Sequence, residues 1–388
     1  MSHDEVVSRR MTSLLLAGGD SRSPLDVVSW FGAMQAQDLA SGQWSVGLRI
    51  PGATEGDVER AINAGEILRT WPMRGTIHLV PSRDAKWMVD LTAERVVRSA
   101  AGRWRQIGLT ESAANRGAEI LASALAGGRR LSRSQCVTVL TEEGSYTKEH
   151  IYQLLWYAAQ TGVTCFGPLH GKEHTFVLLD EWVADPATPT REEALTILAL
   201  RYFRSHGPTT VQDFAGWSGL LLDDARNGVE AAGDALATID VEGSPHVLAA
   251  ALLDERPQPD VAGEEVLVLP GFDEYLLGYK DRSLMVPAEH ARQIVPGGNG
   301  IFMPTIVARG RVIGTWRREL KAKRVDIRPL PFVPLTRAQR SASHGPSRAT
   351  RPTSAESCTN SPREGLRRAD GHPPLTKFGI GWWRARQL

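Results

Sequence analysis

The stretch Glu55-Gly-Asp-Val-Glu-Arg-Ala-Ile-Asn-Ala64, closed by Gly65 and followed by Ile67-Leu-Arg-Thr-Trp71 and Thr76-Ile-His-Leu-Val80, decides the fold class. Thr54 supplies an N-cap oxygen for a helix over the first segment, and Gly65 stands just past its end, where a left-handed residue closes a helix. The next two runs are rich in β-branched and aromatic residues and meet across Pro72–Gly75, which predicts a hairpin. Upstream, Pro24–Ala36 carries Leu25, Val28, Phe31 and Met34 at helical spacing, with Ser23 as N-cap and Pro24 in the first turn. Gly42–Ile50 between them reads as short and partly strand-like. Helices followed by a two-stranded ribbon is the order of a winged helix.

That order recurs twice downstream. Ser132–Glu143 and Thr147–Gln160 read as helices across a turn at Gly144, followed by Val163–Phe166 and Thr175–Leu179 over the loop Gly167–His174. A third instance opens with Arg191–Ser205, continues through a short helix in residues 206–219 and Asp223–Ala232, and closes with Leu236–Val241 and Pro245–Ala249. The repetition is one of pattern, not of sequence. From Glu265 to Phe332 short β-prone runs dominate (Val266–Leu269, Ile301–Ala308, Val312–Trp316, Arg324–Ile327), with helical text only around Pro287–Ile294. Past Arg340 the chain becomes Ser, Arg, Pro and Thr with almost no periodic apolar residue, a composition that buries too little to fold alone. The expectation is an α+β chain: three tandem winged-helix units (1–105, 106–185 and 186–262), a small β-rich domain (263–340) and a low-complexity tail (341–388). That tail is expected to be disordered, or aberrant through a change of reading frame.

The chain has 388 residues, 42% of them apolar and 23% charged, which is globular usage at a length of several domains. Its 45 basic and 44 acidic residues leave a net charge of only +1, so any phosphate-binding surface must be a local patch. Arg95, Arg98, Arg103 and Arg105 cluster in one helix-like stretch, while Asp254, Glu255, Asp260, Glu264 and Glu265 gather in another. Each run is also what an ordinary solvated face looks like. The 3 cysteines are widely spaced with no C-x-x-C, which argues against a disulfide framework or structural zinc and suits a reducing cytoplasm. Met11–Ala17 is too short for a signal segment, and no run approaches the roughly 20 apolar residues a membrane span needs. The reading is a cytoplasmic protein.

Four motifs carry candidate chemistry. Gln35-Ala-Gln37-Asp38 ends the first helix; two glutamines at i, i+2 share no helix face, but a break there lets both amides enter one cleft and orient a water. Such a pair is no strong base and serves only a reaction whose leaving group is already good. On spacing alone, polar residues capping helix-end carbonyls are the account to prefer. In Leu68–Leu79, Trp71, Arg74, Thr76 and His78 fall on or beside a wing. Arg74 is a candidate phosphate contact, since a guanidinium pairs with phosphate oxygens bidentately. His78, in an apolar strand, reads more readily as a satisfied core histidine than as a catalyst. Leu269–Arg282 mixes acids and tyrosines, which fits a domain joint held by buried hydrogen bonds or a carboxylate pair of Asp273 and Asp281. Pro296-Gly-Gly-Asn299-Gly300 leads to a basic set, Arg309, Arg311, Arg317 and Arg318 among them, suited to a phosphate backbone. P-loop, dinucleotide, H-E-x-x-H and G-x-S-x-G motifs are all missing from the sequence.

Taken together, Gln35-Ala-Gln37, Met73–His78, the 206–219 run, Leu269-Pro-Gly-Phe-Asp-Glu-Tyr275 and Pro296–Gly300 make this chain resemble the bacterial winged-helix DNA glycosylases, the AlkZ-like and YcaQ-like enzymes, over roughly residues 5–340. The resemblance implies three winged helices on a β scaffold, a concave channel for double-stranded DNA, and metal-free excision of alkylated purines, including bulky and crosslinked N7-guanine adducts. The family signature is Gln-x-Gln in one branch and Gln-x-Asp in the other. Gln35 and Gln37 match the first branch and are implied to be catalytic, with Arg74, His78, Asn299, Arg309, Arg311, Arg317 and Arg318 as DNA contacts. The further expectations are a monomer without cofactor, nucleoid-associated, that removes N7-alkylguanine-type bases without cutting the strand. A transcription regulator or other non-enzymatic DNA binder on the same folds is the alternative. Three units on one chain, with no evident dimerisation helix, argue against a regulator reading a palindrome.

Overall fold

The computed structural model describes residues 1–17, 22–144, 146–171, 173–253, 266–298, 300–321 and 324–334. The tail past 340 and the acidic run 254–265 therefore lie outside the described residues. The first helix, α1 (His3–Ser13), is capped by Ser2. The helix α2 (Pro24–Phe31) has the expected Ser23 cap, in a reciprocal box with Asp26, but ends earlier than its periodicity predicts, at Gly32 with φ 82°. A two-residue strand β1 (Met34–Gln35) follows, then α3 (Leu39–Gly47), α4 (Glu55–Asn63), and the hairpin β2 (Ile67–Met73) and β3 (Thr76–Pro81). The segment Gly42–Ile50 thus corrects from strand-like to mostly helix. A Gly- and Ser-containing sequence has poor intrinsic helix propensity, and packing decides instead: Val46 is fully buried.

The second set comprises α5 (Ala85–Ile107), which runs through residue 105, then α6 (Glu111–Leu125), β4 (Leu131–Ser132), α7 (Arg133–Gly144), α8 (Lys148–Gln160), β5 (Thr164–His170), β6 (Glu173–Leu178) and α9 (Leu179–Trp182). The third comprises α10 (Arg191–His206), α11 (Val211–Ser218), α12 (Leu222–Ala232), β7 (Leu236–Val241) and β8 (Ser244–Ala249). In each set a short extended piece precedes two helices and then pairs with the second hairpin strand: β1 with β3, β4 with β6, and Thr209 with Val247. The three sets therefore share one element order. One feature lay beyond the sequence: the first two hairpins join through Arg69 and Phe166 into a single six-stranded sheet, order β1-β3-β2-β5-β6-β4. β2 is thereby an inner strand, and helices cover its faces, Ile67 packing in the core with α2 and α4 and Leu68 with α5 and α10, so all seven of its residues are buried.

The remaining strands, β9 (Val266–Leu269), β10 (Thr305–Ala308), β11 (Arg311–Lys321) and β12 (Arg324–Pro331), form an antiparallel sheet in the order β12-β11-β10-β9, with α13 (Glu274–Leu277) and α14 (Ala291–Ile294) between them. The hairpin turns Arg74-Gly75 and Arg309-Gly310 have positive φ at both residues, the geometry a two-residue turn needs to match strand twist. One large core joins α1–α4 to residues 269–312, including Tyr275, Tyr279, Met285 and Val312. The β sheet is thereby fastened beneath the first helices.

Candidate functional site

The early end of α2 changes the geometry of the glutamine motif. Gln35 and Gln37 lie at the edge of the large sheet and just beyond it, not at a helix end, with Gln35 opposite His78. The Ala36 N–H donates inward to the Ile77 carbonyl at 2.8 Å. By strand alternation the N–H groups of Gln35 and Gln37 then face the open edge. Each finds a side-chain acceptor: Gln35 N donates to Glu274 Oε1 at 3.0 Å, and Gln37 N to Gln35 Oε1 at 3.2 Å. The Gln37 Oε1 in turn accepts from Ile77 N at 3.2 Å. Both amides are thus oriented by backbone donors, and each carbonyl oxygen retains a second lone pair. Gln35 is buried while Gln37 and Asp38 are exposed, so the pair stands at the boundary between core and solvent. Gly42 of α3 makes this layout possible, because a Cβ there would meet the Ala36 Cβ at 2.8 Å.

Two buried charged groups that sequence reasoning missed hold this strand. Arg69, 5% exposed, donates from Nε to the Ala36 carbonyl (3.1 Å) and from Nη2 to the Gln37 carbonyl (3.3 Å). Its guanidinium lies over the Phe166 ring at 4.5 Å and against the His174 ring, so the second hairpin braces the first. Burial pushes the Arg69 pKa down to about 10, partly offset by Asp38; it stays protonated at neutral pH. On the other side, Glu274 is 1% exposed. Burial alone would raise its pKa, but the bond and charge of His206, the Gln35 N–H and His78 outweigh it and hold the pKa down to about 2.

The expected wing contacts correct. His78 has no exposed surface: Nδ1 meets the Thr76 carbonyl at 3.0 Å, and Nε2 faces the Arg74 Nη2 at 3.5 Å. It is a core histidine and, so enclosed, offers no surface to a duplex. Arg74, at positive φ, turns its guanidinium inward toward His78 and Glu274; its buried Nε has no hydrogen-bond partner among the described residues. A phosphate contact by Arg74 in this arrangement is therefore also withdrawn. Asn299 lies outside the described residues. The basic set of the β sheet divides in two. Arg309 is exposed, and Arg311 pairs with Asp4 at 3.0 Å, both beside α1. Arg317 and Arg318 lie further along β11, exposed, where Trp316 packs on Trp44 of α3 with ring centroids 5.1 Å apart. Arg318 is 4.0 Å from Asp38, next to Gln37. Arg317 stands opposite Arg328, also exposed. Arg95, Arg98, Arg103 and Arg105 are exposed on α5. Asp273 and Asp281 form no carboxylate pair: Asp273 is bound by Arg49 and Asp281 accepts from Ser283 N.

Burial pushes the His78 pKa from 6.5 to about 4, reinforced by the Arg74 charge, and burial likewise lowers His174 to about 4. The unfolded chain therefore takes up protons between pH 6.5 and 4 that the folded chain refuses, and stability is lost as pH falls through that window. For His78 alone the loss is roughly 3 kcal/mol. Glu274 extends the same trend below pH 4.5. Thermal melting followed from pH 7.5 to 4.5 is expected to fall steeply, and less steeply in His78→Asn; equal slopes overturn the assignment.

Among the described residues no group of three or more His, Cys, Asp or Glu is disposed to hold a metal, and no helix is long and apolar enough to cross a membrane. A family model described as DNA glycosylase AlkZ-like matches residues 28–345. The chain is 28% identical over 363 residues to an interstrand DNA cross-link repair glycosylase of Streptomyces sahachiroi, covering 88% of this chain and 94% of that protein. It is also similar to the solved structure of the Streptomyces sahachiroi DNA glycosylase AlkZ, with a TM-score of 0.73, 27% identity, and coverage of 87% of this chain and 92% of the other.

Proposed function

Because the chain belongs to the AlkZ-like DNA glycosylase family, it is a DNA N-glycosylase, and we propose that it hydrolyses the glycosidic bond of N7-alkylguanine-type bases, crosslinked adducts included. The observation that carries this reading is the orientation of two neutral amides by backbone N–H groups at the solvent boundary of the sheet. An N7-alkylated guanine carries a positive charge, so its bond to C1′ is already weak and the base departs neutral. The remaining task is to hold water at C1′ and stabilise an oxocarbenium-like centre. The second lone pairs of the Gln35 and Gln37 carbonyls suit that task, and Asp38 adds nearby negative charge. Amides and a carboxylate form no Schiff base, so the product is an abasic site in an uncut strand.

The thrice-repeated element order supports a reading as three winged-helix units (1–105, 106–185 and 186–262) beside a β-rich domain (263–340), the whole acting on double-stranded DNA as a monomer. Exposed Arg318, 4.0 Å from Asp38 beside the glutamine motif, is the nearest phosphate contact of this reading, with exposed Arg317, Arg309 and Arg311 as further contacts. The test is a panel of duplexes carrying N7-methylguanine, a bulky N7 adduct, a crosslink or no damage. Strand breaks are expected only after heat and alkali, and only on modified duplexes. An intact N7-methylguanine duplex after prolonged incubation overturns the reading.

A further inference from the structure

The open edge of β1 poses a problem that the fold solves with a single side chain. An edge N–H pointing away from its sheet needs an acceptor when water is excluded. For Gln35 that acceptor comes from a residue 239 positions away, Glu274, whose Oε1 takes the N–H. Its other oxygen, Oε2, accepts from Trp217 Nε1 at 3.0 Å and meets His206 Nε2 at 3.4 Å. Those partners are themselves fixed. His206 is fully buried, stacks on Tyr202 at 4.6 Å and contacts Ser205 Oγ through Nδ1 at 2.8 Å. Tyr202 OH donates to the Gly278 carbonyl, and Tyr279 OH to the His206 carbonyl. Gly278 leaves the room the His206 ring occupies, since a Cβ there would lie 2.1 Å from its Cδ2.

We propose that Glu274 is a positioning residue for the excision reaction: it fixes the Gln35 backbone from behind and couples the glutamine strand to Trp217 and His206 of the third helical set. The inference rests on the assignment of Gln35 and Gln37 above. Gln35 is the hinge of that coupling, because the residue whose N–H is held is also the one whose side-chain carbonyl receives the Gln37 N–H. A carboxylate can accept at both oxygens together; an amide cannot. In E274Q the new NH2 must oppose either the Gln35 N–H or the Trp217 indole N–H. Loss of the Gln35 bond lets the strand shift, and a displacement near 1 Å costs such a reaction roughly 100-fold.

The experiment is single-turnover excision of N7-methylguanine by the full chain at saturating enzyme, per folded molecule, beside the Kd for undamaged duplex. E274Q is expected to slow excision about 10- to 100-fold with Kd within about twofold of wild type. The double variant E274Q/W217F is expected to recover at least about threefold over E274Q, because its amide can then turn its oxygen to Gln35 while its NH2, no longer opposed by the indole N–H, faces a His206 Nε2 that accepts once the ring proton sits on Nδ1 toward Ser205 Oγ. A residue that merely fills the core gives no such rescue; two core lesions add. Wild-type excision by E274Q, or no recovery in the double variant, overturns the proposal. Should E274Q fail to fold, E274D, one methylene shorter, decides: slowed excision at unchanged Kd supports the proposal and wild-type excision overturns it. Q35A run alongside separates the two levels. If Q35A excises normally, the glutamine assignment falls; if only Q35A is slow, Glu274 alone is released from its role.

Discussion

Gln37→Ala is expected to slow single-turnover excision of N7-methylguanine by about 10²–10³-fold while leaving the Kd for undamaged duplex within about twofold, the size of effect seen when one preorganised polar group is removed from a developing charge. Gln37 is exposed, so its removal opens no cavity, and its carbonyl is held by the Ile77 N–H, so the wild-type amide has little freedom to lose. Gln35→Ala is expected to be slower still, because it also strips the Gln37 N–H of its acceptor and so disturbs both amides at once. Gln37→Glu separates acceptance from neutrality. It keeps an oxygen for Ile77 and one for water, and is expected to retain activity within about tenfold of wild type, since the transition state is cationic. Quenched-flow or manual sampling with alkaline strand scission measures all three. Equal rates for Gln37→Ala and wild type would remove the amide pair from the chemistry.

Much of this architecture is legible in the sequence because its signals are local. Ser23 with Asp26, Thr54 with Asp57, Thr190 with Glu193 and Thr210 with Asp213 all form reciprocal caps three residues apart. The Arg-Gly turns announce two hairpins. What stayed hidden is non-local. The strand β1 has two residues and exists because β3 lies beside it; nothing in Met34-Gln35 specifies that. Arg69 lies in a β-prone run with no local sign of burial, yet β5 pairs beside it, the Phe166 ring covers its guanidinium and it becomes a strut to the Ala36 carbonyl. Arg74 looked outward, but from its left-handed turn position, invisible in sequence, the half-buried side chain aims its Nη2 at His78. The Leu269–Arg282 motif was readable as a joint with buried hydrogen bonds, and that is its geometry, but its partners Gln35 and Arg49 are more than 200 positions distant. The candidate site is thus partly local text, Gln-x-Gln, and partly a tertiary cage around it.

That cage rests on a buried ion pair whose disruption carries the largest expected effect on stability. Arg49 and Asp273, with side chains 0% and 3% exposed, form a bidentate pair: Nη1 to Oδ2 at 2.8 Å and Nη2 to Oδ1 at 2.9 Å. The same guanidinium donates to the Leu14 carbonyl at the end of α1 and to the Ser45 carbonyl in α3. Asp273 also accepts from Ser45 Oγ and the Tyr275 N–H, which places Glu274 one residue beyond it. Removing one member of such a pair strands the other charge in the core, at a cost of about 3–5 kcal/mol. Arg49→Met is therefore expected to lower the melting temperature by about 10 °C, and Asp273→Asn by a similar amount. The double replacement is expected to cost clearly less than the sum, because it leaves no unpaired buried charge. Calorimetric melting of the four proteins checks this, and strict additivity would show that the two groups act separately. Excision per folded molecule adds a second readout: Asp273→Asn is expected to slow it as well, because the turn that aims Glu274 at Gln35 begins at the residue Arg49 holds.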